Sequence, residues 1–249
     1  MTVRHLTRAV TAPPPLELQS AALFLDLDGT LAPIAERPQD VSPDPRRTSL
    51  VARLQAATAG RLAVISGRTL EDVDRILESR VRRVAAIHGL VRRPAAGEPE
   101  QAAPHPGLAV ATDTFRTFAE ADDGLLVEPK GLSVALHYRL APAFERQARE
   151  IAELLAQETG LVLQAGRMVV ELRTPGPDKG DSVRAFMGDP AFAGARPVFI
   201  GDDVTDEAGF AAAAELGGFG VLVGPERETR ARHRLADVDA ALAWLEAAL

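Results

Sequence analysis

Short apolar runs that stop abruptly at polar clusters constrain this chain more than any other feature. Ala22-Leu23-Phe24-Leu25 ends in Asp26-Leu27-Asp28-Gly29-Thr30, Leu62-Ala63-Val64-Ile65 in Ser66-Gly67-Arg68, and Pro197-Val198-Phe199-Ile200 in Gly201-Asp202-Asp203. Apolar runs without alternation suit strands covered on both faces, as in a parallel sheet flanked by helices. The intervening segments agree, because Leu50, Val51 and Leu54 form one helical stripe and Leu70, Val73, Ile76 and Leu77 another. A third run in this half, Val84-Ala85-Ala86-Ile87, closes on His88-Gly89. The rhythm predicts an α/β fold with a Rossmann-like, doubly wound parallel sheet.

The rhythm then breaks. Residues 92–107 hold Pro94, Gly97, Pro99, Pro104, Pro106 and Gly107, a linker composition. Beyond them the pattern predicts a helix near 108–121, strands at 124–130 and 132–139, a helix at 142–158 and strands at 160–166 and 167–173. Strands joined this tightly form an antiparallel sheet, here with two helices. Thr174-Pro175-Gly176-Pro177 reads as a second hinge, after which the first rhythm resumes through Gly220-Val221-Leu222-Val223-Gly224 to a helix at Trp244. The economical division is an N-terminal extension at 1–20, a core at 21–105 and 175–249, and an inserted α+β cap at 106–174. Pro13-Pro14-Pro15 makes the extension an extended, loose lead-in.

Composition narrows the chemistry. Basic residues number 28 against 35 acidic ones, a net charge of −7, which argues against nucleic acid as a partner. The absence of cysteine excludes disulfides, thiolate-bound metals and thiol nucleophiles. The five histidines are scattered without HxxxH or HExxH spacing, so a histidine zinc site is not expected. No apolar run reaches the roughly 18–20 residues of a membrane span, and residues 1–20 lack the apolar centre of a signal peptide. The expectation is a cytoplasmic protein without a membrane partner, a monomer by default. The basic residues are unevenly made up: Lys130 and Lys179 are the only lysines, and the rest are arginine.

Ligands of open α/β sheets bind beyond the carboxyl ends of the strands, so the polar clusters should converge. Asp26 and Asp28, two apart on an extended segment, would point to one side and meet Asp202 and Asp203. Four carboxylates in one mouth require a cation, and oxygen donors without sulfur or paired imidazole suit Mg2+. Lys179, opening a helix after the second hinge, would add positive charge. Ser66 and the backbone N–H groups beside it would hold an anion. Together these groups describe a phosphoryl site with a carboxylate available as nucleophile.

The segments around Asp26, Ser66, Lys179 and Asp202 resemble, in order, the four motifs of the haloacid dehalogenase (HAD) superfamily of phosphohydrolases. A narrower resemblance is to the trehalose-6-phosphate phosphatase family. It rests on Ile65-Ser66-Gly67-Arg68, Glu128-Pro129-Lys130-Gly131-Leu132-Ser133 with His137-Tyr138-Arg139, Gly166-Arg167 with Glu171-Leu172-Arg173, and Gly201-Asp202-Asp203-Val204-Thr205-Asp206-Glu207. It spans roughly residues 21–225 and departs from the family pattern at Leu27 and Thr174, neither of which removes a reacting group.

The resemblance implies a Mg2+-dependent hydrolysis of a sugar phosphate in trehalose biosynthesis. Asp26 would be the nucleophile and a metal ligand. Asp28 would be the general acid and base, reaching the metal through its backbone carbonyl. Asp202 would bind the metal directly, and Asp203 or Asp206 would hold a metal-bound water or Lys179. Ser66 would bind a phosphoryl oxygen, and Thr30 would steady the loop. Glu128, Lys130 and Glu171 would read sugar hydroxyls, with Arg68, Arg167 and His88 as further substrate contacts. Bland readings stand beside these: an ion pair between Glu128 and Lys130, solvated arginines at 68 and 167, a structural histidine at 88. A sucrose-phosphate or glucosylglycerol-phosphate phosphatase keeps the same core motifs, a phosphomutase shares them, and a non-catalytic sugar-phosphate module remains a different class of answer.

Overall fold

The computed structural model describes residues 10–249; residues 1–9, including His5 and the first part of the expected lead-in, lie outside the described residues. In chain order the first half comprises β1 (Ala21–Leu25), α1 (Pro45–Ala57), β2 (Leu62–Ile65), α2 (Leu70–Ile76), β3 (Arg83–Ala86), β4 (Val91–Arg93) and β5 (Glu100–Gln101). An inserted stretch follows: α3 (Gly107–Ala119), β6 (Leu126–Pro129), β7 (Ser133–His137), α4 (Glu145–Thr159), β8 (Val162–Gly166) and β9 (Val169–Arg173). The chain closes with α5 (Lys179–Met187), β10 (Arg196–Gly201), α6 (Glu207–Glu215), β11 (Phe219–Val223), β12 (His233–Leu235) and α7 (Val238–Glu246).

The larger sheet runs β12-β11-β10-β1-β2-β3-β4-β5, parallel except for its last two strands. Its central strands read as unbroken apolar runs because both faces are covered. Leu23 and Leu25 of β1 enter the core shared with α1, α2 and α7, whereas Ala22 and Phe24 enter the one shared with α5 and α6. Each large side chain so buried contributes about 1.5–3 kcal/mol. Phe24 stacks on Phe192 at 5.8 Å and on Phe186 at 6.4 Å, tying β1 to α5 and the turn after it.

The smaller sheet is antiparallel in the order β6-β7-β9-β8. Val134, Leu136, Val170 and Leu172 turn toward α3 and α4, where Phe115, Ala148 and Ala152 complete a separate apolar core. The intervening residues Ser133, Ala135, His137 and Glu171 occupy the opposite face. Glu128 is registered against Ala135, Ala135 against Glu171, and Glu171 against Gln164, so these residues form one row across the sheet.

Three readings of the sequence need correction. The stretch at 92–107 is not only a linker: Val91 pairs with Ala86, and β5 adds a further antiparallel strand. Pro94, Gly97 and Pro99 occupy the turn between the two short edge strands, and Pro104 and Pro106 lie between β5 and α3. Ion pairs Arg93–Asp74 at 2.6 Å and Arg92–Glu100 at 2.6 Å hold those strands in place. Strand β12, whose polar His233-Arg234 gives no apolar signal, extends the other edge. Residues 10–20 are docked rather than loose. Leu16 and Leu18 are buried, Thr11 bridges to His233, and the Trp244 indole donates to the Pro14 carbonyl at 3.0 Å. Among the described residues no helix is long and apolar enough to cross a membrane.

Candidate active site

Twelve of the residues expected to react or bind, from Asp26 to Asp203, line a single cavity between the two sheets, and Asp206 lies buried outside its lining. The larger sheet supplies its floor through the carboxyl ends of β1, β2, β3 and β10. The polar face of the smaller sheet supplies its roof.

Asp26, the first residue beyond β1, is buried, and its N–H donates to Ile200 of β10 at 2.9 Å. Lys179 opens α5, where Asp178 caps the helix and forms a reciprocal capping box with Asp181. That cap fixes the start of α5 so that the Lys179 ammonium reaches Asp26 Oδ1 at 2.8 Å and Asp206 Oδ1 at 2.7 Å. Burial opposes the charge on Lys179, but Asp206 and Asp26 outweigh it and hold its pKa above the usual lysine value. Asp206 is fully buried, and its Oδ2 accepts the N–H groups of Asp202 and Asp203, each at 2.9 Å.

Asp26, Asp202 and Asp206 each bring a carboxylate oxygen within 4.8 Å of the others. Burial together with the neighbouring carboxylates pushes Asp26 up to about 7 and Asp202 up to about 9, despite Lys179. An all-oxygen donor set in which burial and mutual repulsion raise the Asp26 and Asp202 carboxyls is short of positive charge, and it fits a hard divalent cation. Gly29 leaves space for this group: it has φ +83°, and a Cβ there would lie 2.1 Å from Asp202 Oδ2. The hydroxyl of Thr30, fully buried beside it, has no hydrogen-bond partner among the described residues.

Of the two alternatives Asp203 and Asp206, it is Asp206 that pairs with Lys179. Asp203 is engaged as the cap of the 3-10 turn that leads into α6, accepting from the Val204 N–H at 2.7 Å. Asp206 stands in the cluster instead, because that turn brings it back beneath Asp202. The Asp28 carboxylate points to Arg68, which grips it with two bonds of 2.6 and 2.7 Å. Arg68 is therefore not a solvated arginine: it is buried and held against Asp28 at the cavity wall. One Nη1 hydrogen goes to the Pro38 carbonyl at 2.9 Å, which leaves two of the five guanidinium donors uncommitted. Ser66, buried beyond β2, accepts the Arg68 N–H at 3.2 Å and keeps its hydroxyl proton available.

On the roof, Lys130 gathers three partners: Glu171 Oε2 at 3.0 Å, the Gly67 carbonyl of the floor at 3.0 Å and Glu128 at 3.7 Å. The pairing of Glu128 with Lys130 thus exists, but it is the longest of these contacts and lies inside the cavity. Glu128 is closer to His137, at 2.8 Å. Burial acts to raise the Glu171 carboxyl, yet Lys130, His88 and Ser133 pull it well below the usual carboxylate range. His88 joins floor to roof, 3.3 Å from Glu171. Arg167 lines the cavity at the tight turn between β8 and β9, where its carbonyl accepts from Arg139 at 2.9 Å. His137 and Arg139, named in the sequence only as part of the family resemblance, also line the cavity.

The sequence model of the family described as Trehalose-phosphatase matches residues 24–239. The chain belongs to the trehalose-phosphatase family. Over 245 residues it is 37% identical to the trehalose-6-phosphate phosphatase of Escherichia coli K12, covering 97% of this chain and 91% of that protein. It is 38% identical over 211 residues to a probable trehalose-phosphate phosphatase of Sinorhizobium fredii, covering 84% and 80% respectively. The crystal structure of a trehalose-6-phosphate phosphatase related protein superposes with a TM-score of 0.75 at 28% identity, over 90% of this chain and 95% of that one. Within the trehalose-phosphatase family match fall both the carboxylate floor and the polar roof, from Asp26 to Asp206 and from Glu128 to Glu171.

Proposed function

We propose that this protein hydrolyses trehalose 6-phosphate to trehalose and inorganic phosphate, with Mg2+ as its cation. The observation that carries the reading is the shared cavity: a carboxylate and lysine floor suited to a phosphoryl group faces a roof of Glu128, Lys130 and Glu171 suited to hydroxyls. Asp26, Asp202 and Asp206 would hold the cation, which when bound neutralises charge on the phosphoryl oxygens.

Asp26 attacks phosphorus, forming an aspartyl-phosphate as the bond from phosphorus to the sugar oxygen breaks. Lys179 holds one oxygen of Asp26 and so orients the other. Asp28 gives its proton to the departing sugar oxygen. Water then attacks phosphorus, returns a proton to Asp28 and frees phosphate and Asp26. Asp28 is bound to Arg68 here, so each proton transfer requires it to exchange that partner for the sugar oxygen or water. Ser66 donates to a phosphoryl oxygen, and the inserted unit at 106–174 acts as a lid that keeps bulk water from the phosphorylated carboxylate.

Charged groups suit a neutral disaccharide, because hydrogen bonds to ionised partners are the stronger kind. Lys130→Arg tests this assignment. A planar guanidinium cannot replace a compact ammonium among Glu171, Gly67 and Glu128. The expected result is a KM for trehalose 6-phosphate raised about 10-fold, with hydrolysis of p-nitrophenyl phosphate, which has no sugar, changed less than about 2-fold. An equal loss on both esters would remove Lys130 from sugar recognition.

A further inference from the structure

One buried chain of contacts crosses from the larger sheet to the smaller one without touching the carboxylate cluster. Beyond β3 the backbone turns through Ile87 and His88, both left-handed, at φ +47° and +58°. A β-branched residue adopts that conformation only where its surroundings impose it. Two bonds do so: the Ile87 N–H donates to Arg68 and the His88 N–H to Ser66, each at 2.9 Å. The turn lays the imidazole over Gly67, where a Cβ would come within 2.5 Å of the ring. Glycine at 67 thus makes room for this ring.

Both ring nitrogens meet the smaller sheet. Nε2 lies 3.3 Å from Glu171 Oε2 on β9, and Nδ1 lies 2.9 Å from the Gln164 amide nitrogen on β8. Gln164 and Glu171 are direct cross-strand partners, so one rung of the β8–β9 ladder grips both sides of the ring. A neutral imidazole has one N–H and one lone pair. A carboxylate only accepts, which requires the proton on Nε2, and Nδ1 must then receive a bond from the Gln164 NH2 group. The groups facing the ring are Glu171 from β9, Gln164 from β8, Lys130 beyond β6 and Lys179 from α5. Burial, reinforced by the two lysines and opposed by Glu171, holds the imidazole below its ordinary pKa and therefore neutral.

We propose that Gln164 is a positioning residue that fixes His88 in its Nε2–H tautomer, through which His88 anchors the Glu171 carboxylate for a sugar hydroxyl. The proposal rests on the reading of Glu171 as a sugar-binding group. Ser133 at 2.5 Å, Lys130 at 3.0 Å and His88 at 3.3 Å occupy three of its acceptor positions. About four such positions exist on a carboxylate, which leaves one for the ligand. Gln164 would then act on sugar binding from outside the sugar cavity.

The test is 15N NMR of histidine-labelled protein, with His88 assigned from the signal lost in His88→Gln, together with steady-state kinetics. In the wild type near pH 7.5, His88 is expected to carry its proton on Nε2 alone. Gln164→Glu places a second acceptor against Nδ1, so both nitrogens should become protonated. The resulting imidazolium draws on Glu171 more strongly, raising KM for trehalose 6-phosphate about 3- to 10-fold with kcat within about 2-fold. A proton on Nδ1 in the wild type overturns the proposal. So does a Gln164→Glu protein in which His88 stays neutral and KM is unchanged. If the NMR signatures appear as expected but trehalose 6-phosphate is not hydrolysed at all, the tautomer assignment stands and the substrate reading fails.

Discussion

Asp26→Asn is expected to reduce turnover of trehalose 6-phosphate by about 10³-fold or more, because an amide oxygen is a poor nucleophile toward phosphorus. The substitution is nearly isosteric, and Asp206 continues to pair with Lys179 at 2.7 Å. It also removes a charge from a crowded group, and the sign of that effect is fixed by the raised pKa. The unfolded chain ionises Asp26 near the ordinary carboxylate value, whereas the cation-free folded chain keeps the proton until about pH 7. The folded state thus binds more protons across that window, and the residue costs stability as pH rises through it. At pH 8 without divalent cation, Asp26→Asn should melt no lower than the wild type. A phosphate-release assay and a thermal melt of the same preparation check both parts. Wild-type turnover would remove Asp26 from the reaction, and a melting temperature lower by several degrees would show that the carboxylate is structural.

Lys179→Met is expected to have the largest effect on stability. It leaves Asp26 and Asp206 buried without their shared ammonium, and breaking such a pair costs about 3–5 kcal/mol. Lys179→Arg separates charge from shape. It restores a cation but asks a wide, planar group to fit between two oxygens that contact Nζ at 2.8 and 2.7 Å. Much of the stability should return, while kcat/KM stays depressed about 10²-fold because Asp26 is misaligned. Urea denaturation and phosphate release on both variants read the two quantities. Full activity in Lys179→Arg would show that position 179 needs only a charge.

The two lysines were conspicuous in the sequence because every other basic residue of the chain is arginine. Each proves to bridge carboxylates in a confined space: Lys179 between Asp26 and Asp206, Lys130 between Glu171 and Glu128. The parallel sheet was legible for a simple reason, since strands buried on both faces leave uninterrupted apolar runs. The location of the site followed from where those runs stop. What escaped depends on turns and side-chain direction. Asp203 and Asp206 are three residues apart in one acidic stretch, and only the 3-10 turn decides which reaches the cluster. Arg68 and Asp28 are separated by 40 residues, and nothing in either segment signals their bidentate pairing. Strands β4, β5 and β12 are too short and polar for periodicity to register. Gln164 carries no motif, and its place opposite Glu171 appears only with the ladder register.

On the proposed reading, the carboxylate floor and the hydroxyl-reading roof act on one molecule, trehalose 6-phosphate. The most direct measurement is kcat/KM for phosphate release from trehalose 6-phosphate, sucrose phosphate and glucosylglycerol phosphate, each with Mg2+ and with excess chelator. The predicted result is a clear preference for trehalose 6-phosphate, with activity lost in chelator and restored by Mg2+. A preference for sucrose phosphate or glucosylglycerol phosphate would contradict it, as would binding of trehalose 6-phosphate in the presence of Mg2+ without release of phosphate.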